Sequence, residues 1–324
     1  MEAARVFTPI DLDQLPEAER YFIYGAGVTG ITMHGMLAAR GHLVAGYFDT
    51  SKTGRVNFLE CRPPSMIKEV MKSGDMIVIA SIYYMEIEQI LRDLGINAYL
   101  NGTLLGGPTT HPEMATIRRF VDRFATPGGV TIDVGANVGD TAIFFARRSR
   151  LVYGFEPNPE LFDRFASITE SYGNIKLVPY AASDRQQRVP FSISALDLTA
   201  TASSLELAVG TRSIDIDCVT LDGWCAENEV VPTFIKIDAE FHDVAVIRGA
   251  FVLISKYRPL MLMEASGTEA EQELYKELSS IYRIVRVPFL NDPYWHRDYI
   301  DAPTFYREHP GAPSANVGFI PLPL

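Results

Sequence analysis

Residues 131–157 read TIDVGANVGDTAIFFARRSRLVYGFEP, and this stretch decides the fold of the second half of the chain. A short apolar strand ends at Asp133, and small residues make up the loop Gly135–Gly139. A helical pattern follows the loop, and a second strand ends at Glu156. The order of strand, glycine turn, helix and strand is typical of an α/β unit whose backbone approaches a nucleotide-like ligand closely.

The acid at the end of the first strand indicates the charge of that ligand. A carboxylate at Asp133 repels the pyrophosphate of a dinucleotide but attracts the sulfonium and ammonium groups of S-adenosylmethionine (AdoMet). Glu156 lies where a second strand presents a carboxylate to ribose hydroxyls in dinucleotide folds. The sequence therefore predicts an AdoMet site. The alternative is a tight turn beside a solvated strand-end acid.

Composition limits the class of protein. The 324 residues allow two domains, and 47% apolar with 21% charged residues is normal for a soluble globular protein. A net charge of −11 argues against a nucleic-acid surface. The three cysteines show no CxxC spacing, the first residues do not resemble a signal peptide, and no apolar run could span a bilayer. We therefore expect a cytoplasmic protein, with its oligomeric state left open.

The first 105 residues predict a small Rossmann-like domain with a parallel sheet. An apolar strand at 21–24 runs into a glycine loop and a helix, and a second strand follows at 43–48. Four residues match a dinucleotide-binding pattern: Gly25, Gly27, Gly30 and Asp49. The segment is about half the size of a full dinucleotide domain and has no evident hydride-transfer residue. A structural or regulatory role is therefore the alternative to nucleotide binding.

A change of composition separates this domain from the next. Residues 101–112 read NGTLLGGPTTHP, which is rich in Gly, Pro and Thr, and we place the boundary there. Residues 113–324 again alternate between strand and helix patterns, which predicts a second α/β domain. Apolar and polar residues alternate within 188–220, which indicates inserted antiparallel strands. Residues 282–287 and 317–322 are expected to close the sheet as an antiparallel hairpin.

Further sequence blocks of the second domain occur in a characteristic order. They are Ile132-Asp-Val-Gly-Ala-Asn-Val-Gly139, Phe155-Glu-Pro-Asn-Pro159, Ala181-Ala-Ser-Asp184, Leu221-Asp222, Ile235-Lys-Ile-Asp-Ala-Glu240, Arg248-Gly-Ala250, Arg258-Pro259, Glu264 and Asn316-Val-Gly-Phe-Ile-Pro321. Over about residues 113–324 this pattern resembles the FkbM-family methyltransferases. The resemblance implies a class I AdoMet-dependent methyltransferase, a group of which many members O-methylate sugars or polyketide products. The first 105 residues resemble the half-Rossmann domain that is fused to enzymes of surface-polysaccharide biosynthesis.

The resemblance also implies which residues contact AdoMet, with the last three of the following lying by the adenine. They are Asp133, Gly135, Asn137, Gly139, Glu156, Pro157, Ala182, Ser183 and Asp184. One block departs from the family pattern Lys-x-Asp-x-Glu-Gly-x-Glu. Here Phe241 replaces the glycine and Asp243 replaces the final glutamate. A ring in place of a glycine implies an altered substrate pocket.

Candidate catalytic residues follow the strand at 234–237, which ends at the same edge of the sheet as the glycine loop. A hydroxyl acceptor benefits from a general base, and His242 titrates near neutral pH, so it is our first choice over Asp238 and Glu240. The alternative for His242 is a solvated helix-start residue. Asp238, Glu240 and Asp243 are also hard oxygen ligands that could bind Mg²⁺, against the commoner case of a solvated acidic cluster.

The sequence thus predicts a methyltransferase that acts on a hydroxyl of a sugar or glycoconjugate precursor. A polar, aromatic loop at 291–299 could stack on a sugar through Tyr294, Trp295 and Tyr299, with His296 and Arg297 binding hydroxyls or a phosphate; the alternative is an ordered surface loop. Two other functions stay open. One is an NAD-dependent oxidoreductase that uses the first domain, and the other is a non-catalytic metabolite-binding protein.

Overall fold

The computed structural model describes residues 15–81, 83–102, 112–194, 211–265, 267–288, 299–312 and 314–323. The chain divides into two compact units, Met1–Ala115 and Thr116–Leu324. We call them the first unit and the second unit. The expected domain limits of 1–105 and 113–324 stay a prediction, because residues 103–111 lie outside the described ranges. No helix in the described ranges is long and apolar enough to cross a membrane.

The first unit is built around one six-stranded sheet. In chain order its described elements are β1 (Arg20–Tyr24), α1 (Val28–Ala39), β2 (Val44–Phe48), β3 (Gly54–Val56), β4 (Leu59–Arg62), α2 (Ile67–Val70), β5 (Asp75–Ile79), α3 (Tyr84–Asp93) and β6 (Tyr99–Asn101). The strand order is β3-β4-β2-β1-β5-β6, and all pairs are parallel except β3 with β4. The buried run Tyr21–Tyr24 makes β1 the centre of the sheet, as an apolar strand covered on both faces must be.

The hairpin of β3 and β4 was not predicted from the sequence. Its strands have three and four residues, and most of their side chains are exposed or half-buried. Short edge strands of this kind carry too little apolar alternation to be distinguished from a loop. The expected small parallel sheet is therefore present but is extended at one edge by an antiparallel strand.

The second unit contains a seven-stranded sheet. Its described elements, with α4 spanning the boundary between the units, are α4 (Pro112–Phe124), β7 (Val130–Val134), α5 (Asp140–Ala146), β8 (Leu151–Phe155), α6 (Phe162–Thr169), β9 (Ile175–Val178), β10 (Ala181–Ala182), β11 (Gln187–Ser194), β12 (Thr211–Val219), α7 (Leu221–Glu227), β13 (Phe234–Ile237), α8 (Asp243–Arg248), α9 (Phe251–Tyr257), β14 (Leu260–Ala265), α10 (Glu269–Leu278), β15 (Tyr282–Val287), α11 (Ala302–Glu308) and β16 (Ala315–Pro321). The strand order is β15-β16-β14-β13-β7-β8-β9. Strand β16 runs antiparallel to β14 and β15, which confirms the predicted closing hairpin.

Strand β7 is the centre of this sheet and all five of its residues are buried. It pairs in parallel with β8 on one side and with β13 on the other. The chain therefore crosses from β7 in both directions, which opens a crevice at the carboxyl ends of these strands. This topology positions the site.

A smaller sheet packs beside the main one, in the order β10-β12-β11. Strands β11 and β12 are antiparallel, as the alternating pattern predicted, and residues 195–210 between them lie outside the described ranges. Two helices, α8 and α9, connect β13 to β14. Gly249 lies between them, where a Cβ atom would come within 1.9 Å of the Ser183 carbonyl oxygen.

Candidate active site

The carboxyl ends of β8, β7 and β13 bring three acidic residues to one edge of the sheet. Asp133 lies near the end of β7, while Glu156 and Asp238 directly follow β8 and β13. The register places Asp133 beside Gly154 and Lys236. The structure thus gathers the acids that the sequence analysis selected at separate points of the chain.

The loop after β7 requires glycine at both of its ends. The φ angle is +72° at Gly135 and +93° at Gly139, a region that L side chains rarely adopt. A Cβ atom on Gly135 would lie 1.8 Å from the Asp238 carbonyl oxygen, and one on Gly139 would lie 2.9 Å from Thr169 Cγ2. The loop is therefore packed tightly against the start of the segment after β13.

Asp133 is fully buried, and its two oxygens differ. The Thr141 hydroxyl donates to Oδ2 at 2.6 Å, while Oδ1 lies 3.7 Å from Lys236 Nζ and has no hydrogen-bond partner among the described residues. Burial raises the pKa of Asp133 to about 6, although Lys236 and Thr141 oppose the shift. Asp133 thus presents a buried acceptor oxygen. Thr141 was missed because a threonine in a first helical turn carries no distinctive signal.

Lys236 is the buried cation at this edge. Its ammonium donates to Asp238 Oδ2 at 3.0 Å and to the Gly135 carbonyl oxygen at 3.4 Å. The carboxylate of Asp238, a predicted catalytic residue, is therefore paired. Asp238 therefore anchors the Lys236 ammonium at this edge of the sheet.

Glu156 is 6% exposed and is held by backbone donors on both sides. The N–H of Asn137 donates to Oε2 at 3.0 Å, and the N–H of Asn158 donates to Oε1 at 2.8 Å across the intervening Pro157. Burial raises the pKa of Glu156 to about 7 despite these two donors. Glu156 thereby ties the glycine loop to the end of β8. Asn137 has φ of +51°, and its side-chain oxygen is buried without a hydrogen bond in the described part of the chain.

His242 is joined to the stretch Ala182–Asp184. Its Nε2 lies 2.9 Å from the hydroxyl oxygen of Ser183, which is fully buried at the end of β10. The Ser183 hydroxyl donates to Asp184 Oδ1 at 3.2 Å, so it accepts from an Nε2–H of the histidine. In that neutral tautomer Nδ1 carries the lone pair. Burial lowers the pKa of His242, and the Asp184 carboxylate opposes this, so the neutral ring is favoured.

Asp243 holds the turn between Asp238 and α8. Its Oδ1 accepts from the Ala239 N–H at 2.9 Å, and burial raises its pKa to about 6. Glu240 lies in the turn with φ of +47°. Across the described ranges, no three His, Cys, Asp or Glu side chains are placed to hold a metal ion. A magnesium site at Asp238, Glu240 and Asp243, which the sequence left open against a solvated acidic cluster, is therefore not supported.

The glycine loop of the first unit is contacted by other residues of the same unit. A Cβ atom on Gly30 would lie 1.8 Å from the Gly25 carbonyl oxygen, whereas Gly27 has open space. Asp49 Oδ2 accepts from the Ala26 N–H at 2.7 Å, and its Oδ1 accepts from the N–H groups of the next turn. Asp49 thus fixes the loop locally, and nucleotide binding by this unit stays a prediction.

The predicted aromatic loop falls mostly outside the described ranges. Of its named residues, Tyr294, Trp295, His296 and Arg297 are not described, and Tyr299 is. The Tyr299 ring packs on Phe124 and lies under the Arg123 guanidinium at 4.9 Å. Tyr299 therefore contributes to packing near the end of α4.

Comparison with known proteins gives a family for the second unit. Residues 133–291 match the model of the Methyltransferase FkbM domain. The chain is 25% identical over 182 residues to the hexuronic acid methyltransferase AglP of Haloferax volcanii, an alignment that covers 53% of this chain and 73% of the relative.

Two solved structures are also similar. Methyltransferase FkbM from Methylobacillus flagellatus KT is 16% identical with a TM-score of 0.39, and the match covers 94% of this chain and 90% of that one. Fibrillarin from Aeropyrum pernix, solved with natively bound S-adenosyl-L-methionine, is 13% identical with a TM-score of 0.36. The match covers 60% of this chain and 67% of that one. At these scores neither structure assigns a ligand to this chain. The family match at residues 133–291 coincides with the sheet edge that carries the buried acids, and the second unit of this chain therefore contains a methyltransferase domain of the FkbM family.

Proposed function

We propose that this protein transfers the methyl group of AdoMet to a hydroxyl oxygen of a sugar in a glycan or glycoconjugate precursor. One observation carries the proposal. Two buried carboxyl groups, Asp133 and Glu156, flank a glycine turn with positive φ angles, and the buried ammonium of Lys236 lies 3.7 Å from Asp133 Oδ1.

The charges of this edge favour a cationic ligand. Burial raises the pKa of Asp133 and of Glu156, so both carboxyls lack sufficient positive charge around them in the free protein. The ammonium and sulfonium groups of AdoMet supply that charge, whereas a pyrophosphate increases the repulsion. Asp133 Oδ1, which has no hydrogen-bond partner within the described ranges, is the acceptor that a cationic group meets. We assign to Glu156 the hydrogen bonds from the ribose hydroxyls, because it follows β8 at the same edge of the sheet.

The chain's own residues align the acceptor and take its proton. Bound AdoMet supplies an electrophilic methyl carbon and a sulfide that leaves as a neutral group. The acceptor oxygen forms the new bond to carbon as the carbon–sulfur bond breaks, so the protein's main task is alignment. The proton of the hydroxyl passes to Nδ1 of His242, whose Nε2–H is held by Ser183. The lowered pKa of His242 keeps the ring neutral and ready to accept.

The name of the relative supports a sugar as the acceptor class. A hexuronic acid methyltransferase is 25% identical to this chain over 182 residues. We therefore assign hexoses and hexuronic acids, in precursor form, as the acceptors to be tested.

The test is a mass-shift screen with AdoMet against a panel of nucleotide-linked hexoses and hexuronic acids. We expect one class of sugar to gain a methyl group, and Asp133→Asn to abolish turnover and to weaken calorimetric AdoMet binding. Asp163→Asn, at an exposed acid of α6 in the same unit, is the matched control and should change neither. Undiminished AdoMet binding by Asp133→Asn, or no binding by the unaltered protein, would contradict the proposal.

A further inference from the structure

The turn that follows β13 has an unusual residue at its second central position. The His242 N–H donates to the Ala239 carbonyl oxygen at 3.2 Å, which closes a turn around Glu240 and Phe241. The φ angles of the two central residues are +47° and +68°. Turns with positive φ at both positions favour Asn and Gly, because the Cβ of other residues is crowded there. A phenylalanine therefore occupies a position whose backbone favours glycine.

Side-chain hydrogen bonds hold this turn at both of its ends. The Ala239 N–H donates to the buried Asp243 carboxylate at 2.9 Å, and His242 is fixed to Ser183 at 2.9 Å. The Phe241 side chain lies between these anchors and is nevertheless 84% exposed. Core packing therefore does not account for the ring. A strained position that the surroundings enforce is a reason to look for a function.

The location of Phe241 suggests that function. Its turn begins two residues after β13 ends, and the carbonyl oxygen of Asp238 touches the glycine loop at Gly135. The exposed ring thus stands at the carboxyl edge of the sheet, beside the loop that we assign to the methyl donor. An acceptor that reaches the donor from this edge passes next to the ring. Phe241 follows Asp238 by three positions on the segment that leaves β13.

We propose that Phe241 is the stacking platform for the acceptor sugar, an inference that rests on the proposed function. A pyranose presents hydroxyls around its rim and a face of axial C–H groups. The negative face of a phenyl ring attracts such partially positive hydrogens and shields them from water. Phe241 thereby selects acceptors whose hydroxyls are equatorial and whose axial C–H groups face the ring, and it positions the reacting hydroxyl.

The experiment separates acceptor binding from donor binding. The protein is saturated with S-adenosylhomocysteine and titrated with methyl β-D-glucopyranoside and, separately, with the corresponding uronic acid. Saturation-transfer NMR measures Kd and identifies the ring face in contact. Phe241→Tyr, Phe241→Ala and Phe241→Gly are compared. The glycine variant is compatible with φ of +68° and is expected to fold.

The chain offers a matched control in Phe58. It is 93% exposed with φ of +68°, and it follows Asn57 with φ of +47° in a hairpin of the first unit. Phe58→Gly makes the same chemical and backbone change in the first unit. Effects of lost surface hydrophobicity or relieved strain are therefore common to both glycine variants.

We expect Phe241→Ala and Phe241→Gly to weaken sugar binding roughly fivefold or more, and Phe241→Tyr and Phe58→Gly to stay within about twofold. The axial C–H groups of one sugar face should receive most of the saturation. The Kd for S-adenosylhomocysteine should be the same in all variants. Equal sugar affinities in the unaltered protein and Phe241→Ala, or no saturable binding of either sugar, would overturn this inference. Failure of the proposed function is distinguishable, because S-adenosylhomocysteine itself would then not bind.

Discussion

Acidification is expected to weaken AdoMet binding steeply, because two buried carboxyl groups must lose their protons when the cationic ligand arrives. Burial raises the pKa of Asp133 to about 6 and that of Glu156 to about 7 in the free protein. Below these values each group is protonated, and the proton must be removed at a cost in binding free energy. Above them the carboxylates are already ionised, and the affinity reaches a plateau.

The size of the effect follows from the two pKa values. For each group Kd is multiplied by one plus the ratio of protonated to ionised form. Between about pH 7.5 and about pH 6, this factor rises from about 1.0 to about 2 for Asp133 and from about 1.3 to about 11 for Glu156. Together they weaken binding roughly 16-fold, or about 1.6 kcal/mol.

Isothermal titration calorimetry at these pH values, in buffers of different ionisation enthalpy, measures both Kd and the protons released. We expect about 1.4 protons to leave per AdoMet bound near pH 6. Asp133→Asn, which also weakens binding, should leave about an eightfold pH effect, and Glu156→Gln only about a twofold one. Methylthioadenosine has the ribose but no positive charge, so its Kd should show only the part of the pH effect that comes from Glu156.

A Kd that does not change over this range would refute the reasoning, as would binding without proton release. Either result would mean that AdoMet does not draw on the ionised forms of the two buried carboxyls. If Kd changed with pH equally in the two variants and the unaltered protein, the pH effect would belong to other groups.

Three further predictions concern single residues. Gly135→Ala adds a Cβ atom 1.8 Å from the Asp238 carbonyl oxygen, so it should lower the free energy of unfolding in urea by about 2 kcal/mol or more, whereas Gly173→Ala, with open space around it, should not. His242→Gln should lower kcat by about 100-fold or more and remove the fall of kcat at acidic pH, without changing the Kd for AdoMet. An unchanged kcat would mean that the role of His242 is structural. Asp49→Asn should destabilise the first unit by about 1–3 kcal/mol in thermal unfolding and leave AdoMet binding intact, since its carboxylate accepts three backbone N–H groups; an unchanged transition would contradict that role.

Periodicity and glycine spacing predicted most of the second unit. Strand β13 has the limits that its apolar run indicated, and the closing hairpin of β15 and β16 has the expected direction. Parallel strands buried on both faces give continuous apolar runs, which stand out in a sequence. The elements that were missed, including β3, β4, α7 and α11, are short, and their patterns do not differ enough from those of loops.

The order of chemical groups along the chain was determined by the sequence alone: an acid at the end of a strand, a glycine turn, and a second acid after the next strand. Only the tertiary structure decided the state of these groups. Ser183 and His242 are 59 positions apart and meet through the packing of β10 against the segment after β13. Burial, which raises the pKa of Asp133, and the exposure of Phe241 depend on neighbours distant in sequence. Local patterns specify strands and turns, whereas desolvation and long-range hydrogen bonds exist only once the strands have assembled.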